Sequence, residues 1–207
     1  MKTANLQLTD YDADGRPVAA DMATLSTPLS AVLTDELEGA AAALGVNSHE
    51  ILVAALGRAI QRTIGVGVVS IDVPGYGTSV LPVALSCVTP EHTPATEMLA
   101  GVHQSLSVLD LRRMVHGVLD DPRTQPLSDV LFAYGDAATA RAHLGHVLEL
   151  RASREADSVH LEWCYDARSF EPYTVQELAE QLPLALIELT SEAVPPLVAT
   201  AELAMAH

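Results

Sequence analysis

Positive charge is what this chain of 207 residues has least of: 11 Lys and Arg stand against 27 Asp and Glu, a formal net charge of −16 at pH 7. A surface with that balance repels phosphate backbones and anionic lipid headgroups, so neither nucleic acid nor a membrane face is expected as a partner. Cysteine is nearly as scarce. Cys87 and Cys164 are too few for a disulfide framework and lack the spacing of a zinc knuckle, so both are expected to be reduced structural thiols. Aromatic residues make up only 4% of the chain, with a single tryptophan, Trp163. No apolar run approaches the roughly 20 residues that span a bilayer. None follows Met1–Asn5 as a signal peptide requires, so a soluble, cytoplasmic chain is expected.

Apolar material, by contrast, is plentiful. Hydrophobic residues are 49% of the chain and charged ones 18%, with a mean hydropathy of +0.23. That is enough to fill a core and excludes disorder for the bulk of the sequence. Residues 1–28 are rich in Asp, Gly, Pro and Thr and read as a leader, holding at most a short strand between Val18 and Leu25. Residues 29–194 form the body. Residues 195–207 are an Ala-rich tail expected to fray.

Within the body, Thr34 is a candidate N-cap with Asp35 and Glu36 in the following turn, and Gly45 is a stop signal. Asn47 and Glu50 form a capping-box pair for a second helix running to about Ile64, with Ile51, Leu52, Ala55, Leu56, Ala59 and Ile60 on one apolar face. Val66–Val73 is β-branched and suits a central strand covered on both faces. Leu81–Val88 is a second strand, with Pro82 at its start. A helix opens at Pro94 and Thr96 and continues to about Val118. Val130–Tyr134 is a strand closed by Gly135, and Val147–Arg151 pairs with Val159–Tyr165 as an antiparallel unit. Thr174–Leu189 is a last amphipathic helix in which Pro183 predicts a kink or break. This order predicts an α/β fold: a two-layer sandwich with helices packed on a mixed, mostly antiparallel sheet.

The candidate chemistry is thin. His116 and Asp120 have the His-x-x-x-Asp spacing of acyl transfer, in which the imidazole takes a proton and the Asp orients the local backbone. Asp121 and Pro122 follow where that chemistry places a glycine, and the plainer reading of His116 is a residue at a helix end. His143 and His146 are three apart with no carboxylate or cysteine pattern beside them, so no metal site is expected. No Gly-x-Ser-x-Gly elbow is present. Gly65-Val66-Gly67 and Gly75-Tyr76-Gly77 read as turns, because neither is followed by the residues of a phosphate cradle, and no cofactor is expected.

The linear order of several segments is more informative. Asn47–Ala59, Val69–Gly77, Thr78–Val83, Asp121–Leu127, Ser128–Gly135 and Glu162–Phe170 resemble, in sequence and order, segments of condensation and epimerization domains of nonribosomal peptide synthetases. The similarity runs from about residue 30 to 192. It implies the chloramphenicol-acetyltransferase-like fold, and of that fold one lobe, the C-terminal one. The His-His-x-x-x-Asp-Gly motif of the family belongs to the other lobe, and nothing here matches it.

The resemblance therefore implies an incomplete, non-catalytic subdomain in nonribosomal peptide biosynthesis. Its partners would be a synthetase module or the missing N-terminal half, and a carrier protein. Arg112, Arg113 and Arg123 are the candidate contact residues for such a partner, although a solvated basic edge is the plainer reading. Two alternatives stand beside it: a trimeric acyltransferase with a site between subunits, and an unrelated acidic binding domain of α/β type.

Overall fold

Ser30 starts the first helix. It has an extended backbone, and its Oγ accepts a hydrogen bond from Leu33 N at 3.1 Å, capping α1 (Ala31–Leu44). Thr34, expected as the cap, lies inside the helix and is fully buried. Its Oγ1 accepts instead from Val159 N at 3.1 Å, tying α1 to the sheet. Both residues are good caps, and packing against the sheet decided between them. Gly45 ends α1 in the left-handed conformation with φ of 70°. The computed structural model describes residues 6–74, 80–86, 93–116, 128–135, 143 and 145–193, with the backbone alone at 80–81, 85–86 and 109–116.

The second helix, α2 (Ser48–Thr63), begins where Asn47 N donates to Glu50 Oε2 at 2.9 Å. Every residue from Glu50 to Ile60 is buried, so α2 is enclosed all round and not only on its apolar side. Its small residues Ala54, Ala55, Gly57 and Ala59 allow neighbours to approach closely. Arg58, caught in this enclosure, is neutralised by Glu188, whose Oε1 lies 3.3 Å from its Nε, and it donates to the Thr93 carbonyl. The remaining helices are α3 (Ala95–His116) and α4 (Pro172–Glu192). α4 runs unbroken through Pro183, because Leu178, Leu182, Ala185, Leu186 and Leu189 are all buried on either side of it.

Among the described residues, six strands form one sheet in the order β1-β6-β5-β4-β2-β3. They are β1 (Met22–Pro28), β2 (Val68–Pro74), β3 (Val80–Ser86), β4 (Val130–Tyr134), β5 (Leu148–Glu155) and β6 (Ser158–Asp166). Pairs β1–β6, β5–β6 and β2–β3 are antiparallel, whereas β2–β4 and β4–β5 are parallel, so the sheet is mixed. β3 is an edge strand, and Pro82 sits third in it. The short strand expected within Val18–Leu25 lies slightly later, as β1. The tail at 195–207 and Cys87 lie outside the described residues.

Among the described residues, the core lies between one face of this sheet and the four α-helices. Val69, Ile71, Val130, Phe132, Leu148, Leu150, Leu161 and Trp163 supply the strand side. Trp163 is fully buried and donates from Nε1 to Thr27 Oγ1 at 3.3 Å. Because side chains alternate along a strand, the other face carries a different row. Thr24, Cys164, Glu149, Leu131, Asp72 and Pro82 stand in register across all six strands. β2 is thus covered by apolar residues on one face only: on the other, Ser70 is exposed and Asp72 is buried among polar groups. Among the described residues, no single helix is long and apolar enough to cross a membrane.

Candidate functional site

The row opposite the helices holds two buried carboxylates, and a short segment before β5 brings an imidazole between them. Asp72, 1% exposed, accepts hydrogen bonds from Ser128 N at 3.0 Å, Ser128 Oγ at 2.7 Å and His146 Nε2 at 2.9 Å. Burial alone would raise its pKa. The bonds from His146 and Ser128 outweigh that and hold the carboxyl below the usual range. His146 is fully buried. Its Nδ1 lies 3.8 Å from Glu149 Oε1, beyond hydrogen-bond reach but within ion-pair range. Burial disfavours the charged imidazole, yet Asp72 and Glu149 together push its pKa above the ordinary value.

Glu149 is equally buried. Arg151, two residues along β5 on the same face, donates to its Oε2 from Nε at 3.1 Å and from a terminal nitrogen at 2.6 Å. His143 Nδ1 stands 2.6 Å from Oε1, at ion-pair distance but out of hydrogen-bond alignment. Burial raises the Glu149 pKa, but His146, Arg151 and His143 carry it down to about 2. Next in register to Glu149, Cys164 is half-buried, and burial together with Glu162 pushes its thiol up to about 11. A thiol held neutral in this way is no nucleophile.

A third carboxylate is held similarly at the end of β6. Asp166 accepts from Arg168 N, from Arg168 Nε at 2.9 Å and from Ser169 Oγ at 3.1 Å. Burial works against its charge, but Arg168 and Ser169 more than compensate, so its pKa is lowered.

Chemically, Asp72, His146, Glu149 and Arg151 form a brace: two buried carboxylates against a guanidinium and an imidazole whose pKa they raise. His146, with none of its surface exposed, has no face to offer a substrate. Among the described residues, no group of three or more His, Cys, Asp or Glu side chains could hold a metal ion.

The residues singled out in the sequence fall elsewhere. Arg112, Arg113 and His116 lie on the last turns of α3, where only the backbone is described, and His116 is its final residue. Asp120 and Arg123 lie outside the described residues. The brace was missed because its members are far apart in sequence, with His146 and Asp72 separated by 74 positions. His143 and His146 do have carboxylates beside them, contrary to expectation. The available signal was a lone charge inside each apolar strand: Asp72 between Ile71 and Val73, and Glu149 between Leu148 and Leu150.

The architecture is that of condensation and epimerization domains of nonribosomal peptide synthetases, over about half the length of such a domain and consistent with its C-terminal subdomain. The epimerization domain from the third module of tyrocidine synthetase B superposes with a TM-score of 0.69 at 18% identity, over 92% of this chain and 52% of that one. The X-domain in the complex of the X-domain and OxyB from teicoplanin biosynthesis superposes with a TM-score of 0.67 at 15% identity, over 93% of this chain and 50% of that one. Identities this low establish the fold alone.

In sequence, the chain is similar to part of the phenolphthiocerol/phthiocerol polyketide synthase of Mycobacterium tuberculosis. It is 32% identical to one of the polypeptides of that synthase over 227 aligned residues. The match takes in 86% of this chain but only 15% of the curated relative. No family model matches the chain.

Proposed function

We propose that this chain is one lobe of a two-lobed domain of condensation or epimerization type. It serves a nonribosomal peptide or polyketide assembly line as a structural or partner-recognition module and performs no condensation alone. The observation that carries this reading is the superposition of 92% of the chain on 52% of an epimerization domain. Two features support it. The described helices cover one face of the sheet only, and none of the eight histidines is followed by a second, as a His-His-x-x-x-Asp-Gly motif requires. The partner is then the complementary lobe or the synthase module that carries it. Arg112, Arg113 and Arg123 are the residues offered to an acidic carrier protein.

The test is an assay of the purified chain with carrier-bound aminoacyl substrates. Neither amide product nor stereoinversion is expected, and product from the chain alone would sink the reading. A trimer in solution that transfers acyl groups to an amine, and loses this activity in His116→Ala, would replace it with an acyltransferase whose site lies between subunits.

A further inference from the structure

Among the described histidines, His146 alone is fully buried, and its ring lies between Asp72 and Glu149, two buried carboxylates of the sheet face away from the helices. We infer that His146 is a proton-operated clasp: doubly protonated, its ring ties the segment around Gly145–Val147 to β2 and β5 across the intervening β4, and loss of the Nδ1 proton releases that segment from the sheet. The reading does not depend on a second lobe, since every group it uses belongs to this chain.

The two ring nitrogens have different duties. Nε2 faces Asp72, an acceptor already holding two donors from Ser128, so Nε2 carries a proton as long as that contact exists. Nδ1 has no hydrogen-bond partner among the described residues and points its free valence toward Glu149. Protonated, it attracts that carboxylate. Deprotonated, it presents a lone pair to it. The charges give the same sign: Arg151 engages Glu149, whereas the other donors to Asp72 are the neutral groups of Ser128, so among the described residues a neutral ring leaves the buried Asp72 carboxylate without a cationic partner.

Among the described residues, the segment is also tied to β6, where the Val147 carbonyl accepts from Asp166 N at 2.9 Å, and its other backbone ties converge on Asp129. Val147 N and Leu148 N both donate to the Asp129 carbonyl, at 3.0 and 3.1 Å. Ser128, the neighbour of Asp129, is in turn fixed by Asp72. Arg16 donates to the Ser128 carbonyl at 3.0 Å and lies 3.3 Å from the Asp129 carboxylate. Gly145 has φ of 89°, which suits the close turn over Arg16 and Pro17.

The titratable and charged groups facing the ring are Asp72 from β2, Glu149 and behind it Arg151 from β5, and His143 from its own segment. Cys164 on β6 stands next to Glu149 in register. His146 has a pKa raised above the ordinary imidazole value by Asp72 and Glu149, against the effect of burial. Its contribution to stability is therefore complete below the ordinary value and lost as pH rises through the raised one.

The test uses the whole chain, isotope-labelled, from about pH 6 to about pH 10, the range that brackets imidazole titration. The His146 ring is followed by nuclear magnetic resonance, together with hydrogen exchange at Ser128, Val147 and Leu148 normalised for intrinsic base catalysis. The ring is expected to titrate above the ordinary range. Protection at the three amides should fall with the same midpoint, by about tenfold for each unit by which the pKa is raised. In His146→Gln, which keeps a donor for Asp72 but cannot gain a charge, protection should be low and independent of pH. A ring that titrates in or below the ordinary range overturns the clasp, as does the same pH profile in His146→Gln and wild type. If that variant does not fold, Glu149→Gln serves: it should lower the His146 midpoint, and an unchanged midpoint overturns the proposal equally.

Discussion

Thr34 shows how a single side chain is claimed by the tertiary structure. As a sequence signal it is a helix cap. In the fold it is a buried acceptor for the amide of Val159, at the point where β6 begins. Thr34→Val keeps the shape and removes the acceptor, leaving a buried N–H without a partner. That should cost about 1–3 kcal/mol in urea unfolding. A cost near zero would mean that Val159 N finds another acceptor. The same logic governs Asp72, whose three donors come from two other segments of the chain. Neither role was legible in the sequence because the partners are absent from the residue's own neighbourhood.

At the scale of elements, the strongest sequence signals were those with a local cause. The capping pair Asn47 and Glu50 starts α2 at Ser48, and the helix ends within a residue of its expected stop. β4 has the bounds read from its apolar run, closed by Gly135 with φ of 68°. β5 and β6 pair antiparallel as expected but extend further than the apolar pattern alone marks, because Ser153, Arg154 and Glu155 continue the ladder as its polar end.

Pro183 went the other way. Proline removes an amide donor and crowds the preceding turn, yet α4 continues through it because its buried residues hold both halves. Pro183→Ala should restore a hydrogen bond to the Ala179 carbonyl and stabilise the protein by about 1–3 kcal/mol, read as a higher denaturant midpoint. A lower midpoint would show that α4 needs the proline to fit the sheet.

For the whole molecule, acidity and a polar sheet face combine into a pH response. Glu149 is carried from an ordinary 4.5 to about 2, against the effect of burial, by His146, Arg151 and His143, and Asp72 and Asp166 are also lowered. A folded-state pKa below the unfolded one adds stability above the unfolded value and loses it as pH falls through the folded one. Unfolding free energy should therefore drop between about pH 4.5 and about pH 2, and the drop should be shallower in Glu149→Gln. An equal slope in variant and wild type would show that Glu149 is not held ionised by the brace. The described helices pack on one face of the sheet while Asp72, Leu131 and Glu149 are buried on the other, and about half of each of the two solved relatives lies outside the superposition. On the proposed reading, the chain's own chemistry is bracing rather than turnover.

By itself, the sequence determined the class of fold, most element boundaries and the family likeness, because apolar periodicity, caps and glycine stops act over a few residues. The tertiary structure alone decided which charges meet, that α2 is buried on every side and that Thr34 faces the sheet. Those outcomes depend on contacts between residues far apart in the chain, such as Arg58 with Glu188 and Thr34 with Val159. A buried charge becomes tolerable only when such distant partners close around it.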